Sequence, residues 1–173
     1  KVFEIIEAKK IFNLKYNQIS ILTHPNSYIH SIIHFRNGII KLIAHDTDMK
    51  IPILNTLNFN EKYLINYETK INISNLNNLD FQKPNNKKFP LINLVKKFPE
   101  KNSLFETVIV AANDELVKNF LDKKIKFVDI SNKLLKLSQK KEFLIFKNKT
   151  PKKIEDIIKL ANYVRLKISS MSV

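Results

Sequence analysis

The chain contains a single glycine, Gly38, among its 173 residues, and this scarcity restricts the folds it can adopt. Dinucleotide-binding turns and P-loops need several glycines, because their backbone must come close to phosphate oxygens. We therefore expect neither motif here. Gly38 follows Asn37, and an Asn-Gly pair between two β-branched, apolar runs predicts a β-hairpin over residues 28–44.

The chain has no cysteine and a net charge of +14. The first fact excludes disulfides and thiolate metal sites. The positive charge has two interpretations. A polyanionic partner would make the chain a basic nucleic-acid-binding or organellar ribosomal module, which is our alternative function. Codon bias in an AT-rich genome is favoured, because lysine supplies nearly all the charge and arginine makes the better bidentate phosphate contacts.

Hydrophobic periodicity predicts a mixed amino-terminal part and a helical carboxy-terminal part. The predicted amino-terminal elements are a helix at 1–13, strands at 18–23 and 28–44, and a helix capped by Asp46 or Asp48. Residues 59–88 are rich in asparagine and lack a sustained period, so they predict a linker with one short strand at 70–74. Four amphipathic helices follow, and Ser103 with Glu106 predicts a capping box.

These elements predict an α+β fold, in which a mixed α/β subdomain with a β-sheet edge precedes a helical, four-helix-type domain. The predicted boundaries are 1–58, 59–88 and 89–173. The first residue is a lysine that leads directly into helical periodicity. We therefore expect a preceding segment that supplies part of any active site.

Three of the four histidines lie within residues 22–35. They could be metal ligands, catalytic bases or polar groups of a strand. In an extended strand His30 and His34 lie on one face about 13 Å apart. That distance is too long for both to bind one metal ion. Ordinary hydrogen bonding within the sheet or an interface is therefore the favoured interpretation.

Glu4 and Lys1 are the other candidate site residues. A carboxylate on a helix face could bind Mg²⁺ or Mn²⁺, while Lys1 contacts an anionic substrate. The alternative is a solvated i,i+3 ion pair worth a few tenths of a kcal/mol. The pattern alone favours the ion pair, because a divalent site needs two or three acidic ligands and one carboxylate is too few.

Six stretches, in order, resemble motifs of the 1-deoxy-D-xylulose 5-phosphate reductoisomerase family. They are KVFEIIEA at 1–8, HPNSYIHS at 24–31, TDMKIPI at 47–53, FPLI at 89–92, AANDELVKNFL at 111–121 and FVDI at 127–130. Three positions depart from the family pattern: Val2 replaces glycine, Asn26 replaces glutamine and Thr47 replaces proline. The last helix matches in type only.

The resemblance implies an enzyme that rearranges 1-deoxy-D-xylulose 5-phosphate by a retro-aldol/aldol step and then reduces it with NADPH to 2-C-methyl-D-erythritol 4-phosphate. It implies that Glu4 is one of three acidic ligands of the Mg²⁺ or Mn²⁺ ion and that Lys1 contacts the substrate. Met49 would lie beside the nicotinamide. His30 would lie near the substrate in a supporting role.

The resemblance also implies that this chain is the later half of a catalytic domain, a linker and a C-terminal helical domain. The other metal ligands and the NADPH-binding domain would precede it, so we expect the segment by itself to be inactive. The family is a homodimer, and the 28–44 hairpin could supply the paired sheet edge. The AT-rich composition suggests a plastid-like (apicoplast) location, and neither a nucleic acid nor a membrane is expected as a partner.

Overall fold

The computed structural model describes residues 1–57, 73–77 and 79–171. The helices are α1 (Val2–Ile11), α2 (Lys50–Leu57), α3 (Ile73–Asn77), α4 (Phe105–Leu121), α5 (Phe127–Leu137), α6 (Lys141–Leu144) and α7 (Ile154–Met171), and the strands are β1 (Ile29–His34) and β2 (Ile40–Ala44). Short 3₁₀ helices lie at Tyr16–Gln18, Pro90–Lys97 and Ile145–Asn148. The predicted α+β class is confirmed: the described residues are mostly helical, with one small antiparallel sheet.

The chain forms two compact units, one of residues 1–21 with 84–173 and one of residues 22–83. The helix at the start of the sequence therefore groups with the C-terminal helices. The predicted boundaries at 58 and 88 stay a prediction for the whole protein. Most of the predicted 59–88 linker lies outside the described residues.

The first unit is organised around α4, whose apolar stripe is almost completely buried. Its fully buried members are Phe105, Val108, Ile109, Ala112 and Leu116, and the sixth residue that the periodicity predicts, Phe120, is partly buried against the same core. The stripe packs against α5 and α7, which contribute Ile130, Leu134, Leu137, Leu160, Val164 and Ile168. The Ser103–Glu106 prediction is met only in part: α4 has Leu104 as its N-cap residue, without a side-chain cap bond. The Phe105 amide donates to Ser103 Oγ at 3.1 Å, and the Ser103 hydroxyl donates to Glu106, so the two side chains contact each other without the reciprocal bonds of a capping box.

Helix α1 packs against the 3₁₀ helix Pro90–Lys97. Its apolar stripe, made of Val2, Ile5 and Ile6, is buried in the same core as α4. Lys1 and Glu4 are exposed at the start of the helix, and their separation of three residues places them next to each other. The packing of α1 thus presents both candidate site residues to solvent.

The second unit contains the predicted hairpin. β1 and β2 pair antiparallel, with His34 opposite Ile40 and Ile32 opposite Leu42. Gly38 has φ +87° in the turn, in the left-handed region that glycine adopts without strain. Asn37 Oδ1 accepts a hydrogen bond from the Ile39 amide at 3.1 Å. The Asn-Gly turn prediction is therefore confirmed.

The strand prediction over 18–23 was wrong, and the one over 70–74 was wrong for its described residues. Over 18–23, only Thr23 pairs, with Gln82, while Ile19 and Ile21 pack as side chains against the core of the first unit. Over 70–74, Ile73 lies in helix α3, and residues 70–72 lie outside the described part of the chain. Among the described helices, none has the length and apolar composition needed to cross a bilayer.

Candidate active-site residues

Lys1 and Glu4 form a charged pair at the first turn of α1. Lys1 Nζ lies 2.7 Å from Glu4 Oε2, and their side chains are 64% and 61% exposed. A carboxylate in the first turn interacts favourably with the partial positive charge at the helix amino end. Water screens an exposed pair of this kind, so the pair itself adds little stability. Both groups are therefore accessible to a ligand.

The described residues contain no group of three or more His, Cys, Asp or Glu side chains placed to hold a metal ion. Glu4 supplies one hard oxygen donor of the type that Mg²⁺ and Mn²⁺ prefer. A complete divalent site built on Glu4 needs further acidic ligands beyond those that this part of the chain brings together.

Tyr16 anchors the carboxy-terminal side of α1 to the helical core. Its hydroxyl donates to Glu106 Oε1 at 3.4 Å, and its backbone amide donates to Glu100 Oε2 at 3.3 Å. Its ring stacks on Phe98 with centroids 5.7 Å apart, and Lys9 Nζ lies 5.0 Å above the ring. Burial, assisted by the negative charge of Glu106, raises the pKa of the Tyr16 hydroxyl well above its usual value. The hydroxyl therefore stays protonated and serves as a donor.

Replacing Tyr16 with Phe should lower the free energy of unfolding by about 1 kcal/mol, because the buried Glu106 carboxylate loses one of its donors. The urea midpoint of the full-length protein measures this change. The control is Tyr163→Phe, which removes a hydroxyl that donates to Glu142 at an exposed site. The Tyr163 change should cost less, since water can replace the lost donor. Equal midpoints for the two variants would contradict the anchoring role of Tyr16.

The second unit brings His30 and His45 together. His45 Nε2 lies 3.0 Å from His30 Nδ1, and the two ring centroids are 5.0 Å apart. A β-bulge causes this contact, because the register shifts between Ile29 and Ser31 and leaves His30 as the extra residue of β1. The two-residue alternation that grouped His30 with His34 is thus interrupted at His30.

The other histidines have local roles. His24 Nε2 lies 3.2 Å from both the amide nitrogen and the carbonyl oxygen of Ile29, and its ring contacts Phe81. This arrangement fixes the start of β1. His34 is exposed at the end of that strand. The favoured interpretation of the histidines as polar groups of the sheet agrees with the contacts of His24.

Met49 is exposed immediately before α2. Asp48 fixes this turn, because its Oδ1 accepts a hydrogen bond from the Lys50 amide at 2.9 Å. The predicted capping by Asp48 is therefore confirmed. The turn leaves the Met49 thioether in solvent, where it can contact an apolar ring.

Comparison with known proteins identifies the family. The model of the DXP reductoisomerase C-terminal domain matches residues 45–167. A 1-deoxy-D-xylulose 5-phosphate reductoisomerase from Pelagibacter ubique is 54% identical over 173 residues, which cover 100% of this chain and 44% of the relative. The chain belongs to the 1-deoxy-D-xylulose 5-phosphate reductoisomerase family.

Solved reductoisomerase structures have the same fold over almost the whole chain. The Zymomonas mobilis enzyme in complex with NADPH has a TM-score of 0.76 at 29% identity, covering 99% of this chain and 44% of that one. A reductoisomerase in complex with NADPH, fosmidomycin and magnesium has a TM-score of 0.85 at 25% identity, covering 99% and 43%. The chain therefore spans less than half the length of these reductoisomerases. The family resemblance found in the sequence is confirmed.

Reasoning from the sequence missed the contacts of two residues. The first is Tyr16, whose bond to Glu106 joins positions 90 residues apart and has no local signal. The second is His45. An unbroken hairpin register continued from the Ser31–Ile43 pair would place Ala44 opposite His30, and only the bulge changes that pairing.

Proposed function

We propose that this chain is the C-terminal portion of an NADPH-dependent, divalent-metal-dependent reductoisomerase that converts 1-deoxy-D-xylulose 5-phosphate to 2-C-methyl-D-erythritol 4-phosphate. The observation that carries the proposal is the 54% identity to the Pelagibacter ubique reductoisomerase along all 173 residues. The complexes of solved relatives with NADPH and magnesium support the two cofactors. The +14 charge alone does not favour the nucleic-acid-binding alternative, since codon bias would produce the same excess of lysine.

Glu4 has the donor chemistry and the exposure that a ligand of Mg²⁺ or Mn²⁺ needs, and its ion pair with Lys1 is weak enough to be exchanged. A divalent ion held there would polarise the substrate carbonyl as a Lewis acid. Lys1 would then bind an anionic group of the substrate through its ammonium. Helix α1 keeps the two side chains on one face, so both can reach the same ligand.

His30 and Met49 are the proposed contributions of the second unit. The His30 imidazole would hydrogen-bond the substrate, and Met49 would pack against the nicotinamide of NADPH. NADPH itself would be held mainly by the part of the enzyme that precedes this segment, and it supplies the hydride. Residues beyond this segment would thus complete the site, and the segment by itself should be inactive.

We also propose a homodimer in which the sheets of the two subunits pair and the β1–β2 hairpin supplies the strand edge for that pairing. Ile32, Ile33, Leu42 and Ile43 are exposed on β1 and β2, which is unusual for strand residues of this type. Bacterial relatives such as that of Pelagibacter ubique favour a bacterial cell over the plastid-like location that the composition suggests.

The test is an assay of the full-length protein encoded by the same gene. We expect oxidation of NADPH that requires both 1-deoxy-D-xylulose 5-phosphate and Mg²⁺ or Mn²⁺ and that stops when the metal is chelated. The 173-residue segment should show no turnover under the same conditions. Substrate-independent NADPH oxidation, or full activity after metal removal, would contradict the proposal.

A further inference from the structure

We propose that His45 is a positioning residue that fixes the tautomer and orientation of His30, so that His30 presents an unprotonated Nε2 to a hydroxyl group of the substrate. The inference rests on the proposed function for the identity of the substrate. It adds a residue, His45, that no family motif in the sequence singles out.

The geometry of the pair comes from the bulge in β1. As the extra residue of the bulge, His30 lies beside His45, the residue that follows the last residue of β2. The His30 Nδ1 to His45 Nε2 distance of 3.0 Å is a normal hydrogen bond. On its other side, His45 Nδ1 lies 2.5 Å from the carbonyl oxygen of Asp46.

The carbonyl oxygen of Asp46 determines which atom is the donor in both hydrogen bonds, the one to His45 and the one between His45 and His30. A main-chain carbonyl can only accept, so His45 Nδ1 must carry a hydrogen. In a neutral His45 the Nε2 atom is then the acceptor. His30 Nδ1 must therefore be the donor, which leaves the His30 Nε2 lone pair available. The assignment follows from the chemistry of the partners in the network.

The consequence concerns which substrate groups His30 can bind. An imidazole with a free Nε2 lone pair accepts a hydrogen bond from a hydroxyl, whereas the other tautomer would offer a donor there. The proposed substrate is a ketose phosphate that carries hydroxyl groups, which suit an acceptor. Without His45, the His30 ring can rotate and exchange tautomers, so a fraction of the molecules would be unable to bind.

The test compares three variants of the full-length protein labelled with ¹⁵N at histidine. His45→Ala removes the acceptor, and His45→Gln restores one through its side-chain oxygen. His34→Ala is the matched control, since His34 is an exposed histidine of the same strand outside the pair. Long-range ¹H–¹⁵N spectra report which nitrogen of each ring is protonated. The disappearance of signals in His30→Asn assigns those of His30.

We expect the unmodified protein to show a protonated Nδ1 and a bare Nε2 at His30. His45→Ala should redistribute the proton between the nitrogens and raise KM about tenfold, equivalent to the loss of one hydrogen bond, with kcat nearly unchanged. His45→Gln should restore both the proton at His30 Nδ1 and the original KM. His34→Ala should change neither the proton position nor KM.

A His30 signal with Nε2 protonated in the unmodified protein, or one unchanged in His45→Ala, would overturn the role of His45. An unmodified protein without reductoisomerase activity would instead overturn the proposed function. In that case the spectra still decide whether His45 sets the tautomer of His30. The two failures are therefore distinguishable.

Discussion

Replacing Glu4 with Gln in the full-length protein should lower kcat/KM for 1-deoxy-D-xylulose 5-phosphate by roughly 10²–10³-fold, a loss typical of removing one group that stabilises transition-state charge. Gln keeps the shape of the side chain but replaces a negative oxygen ligand with a neutral amide, so the divalent ion is held less tightly. Steady-state NADPH oxidation at several Mg²⁺ concentrations measures the change. The Mg²⁺ concentration needed for half-maximal activity should rise in parallel.

The matched control is Glu7→Gln, which makes the same chemical change three residues further along α1. Glu7 is also exposed, and we propose no ligand for it. Its variant should retain activity within about twofold, and neither change should alter stability by more than about 0.5 kcal/mol at these exposed positions. Similar losses in both variants would mean that the charge of the helix, rather than Glu4 as a ligand, is responsible.

The helical part of the fold could be predicted from the sequence because its signals are local. Ser103 and Glu106 stand three residues apart, and their side chains bond to each other at the start of α4, although without the reciprocal bonds of a capping box. The apolar stripe of α4 repeats every three to four residues, so burial of one face follows from the helix period. The Asn37-Gly38 turn is equally local, since a positive φ at Gly38 is a property of that one residue.

The features that could not be predicted depend on distant residues. Whether 18–23 forms a strand depends on a partner strand, and there only Thr23 finds one, in Gln82. The contact of His30 with His45 depends on a bulge, which no residue type in the segment specifies. The assignment of α1 to the same compact unit as residues 84–173 likewise depends on tertiary packing.

The candidate metal site also could not be predicted from the spacing of residues alone. Spacing alone favours a solvated ion pair between Lys1 and Glu4, and the structure contains that pair. The interpretation of Glu4 as a ligand comes from the family motif around it, because the described residues contain no group of three or more side chains placed to hold a metal ion. A single carboxylate does not define a divalent metal site, because such a site needs several oxygen ligands.

Replacing Phe105 with Ala should destabilise the helical unit by about 3–5 kcal/mol, the usual cost of truncating a fully buried aromatic side chain. Phe105 is 0% exposed, and its ring meets Phe98 edge-on with centroids 5.9 Å apart. Phe98 in turn stacks on Tyr16. The cavity would therefore disturb the aromatic contacts that connect α4 to Tyr16, in the short 3₁₀ helix that follows α1. Hydrogen exchange of the α4 amides in the full-length protein measures the loss, as faster exchange across the helix.

The control for Phe105 is Phe12→Ala, which removes the same atoms from a side chain that is 70% exposed. Its cost should stay within about 0.5 kcal/mol, since little apolar surface leaves a packed environment. If the aromatic contacts also position the amino end of α1, Phe105→Ala should lower reductoisomerase activity at temperatures where α4 is still protected. Unchanged activity under those conditions would show that α1 is held in place without the Tyr16–Phe98–Phe105 contacts.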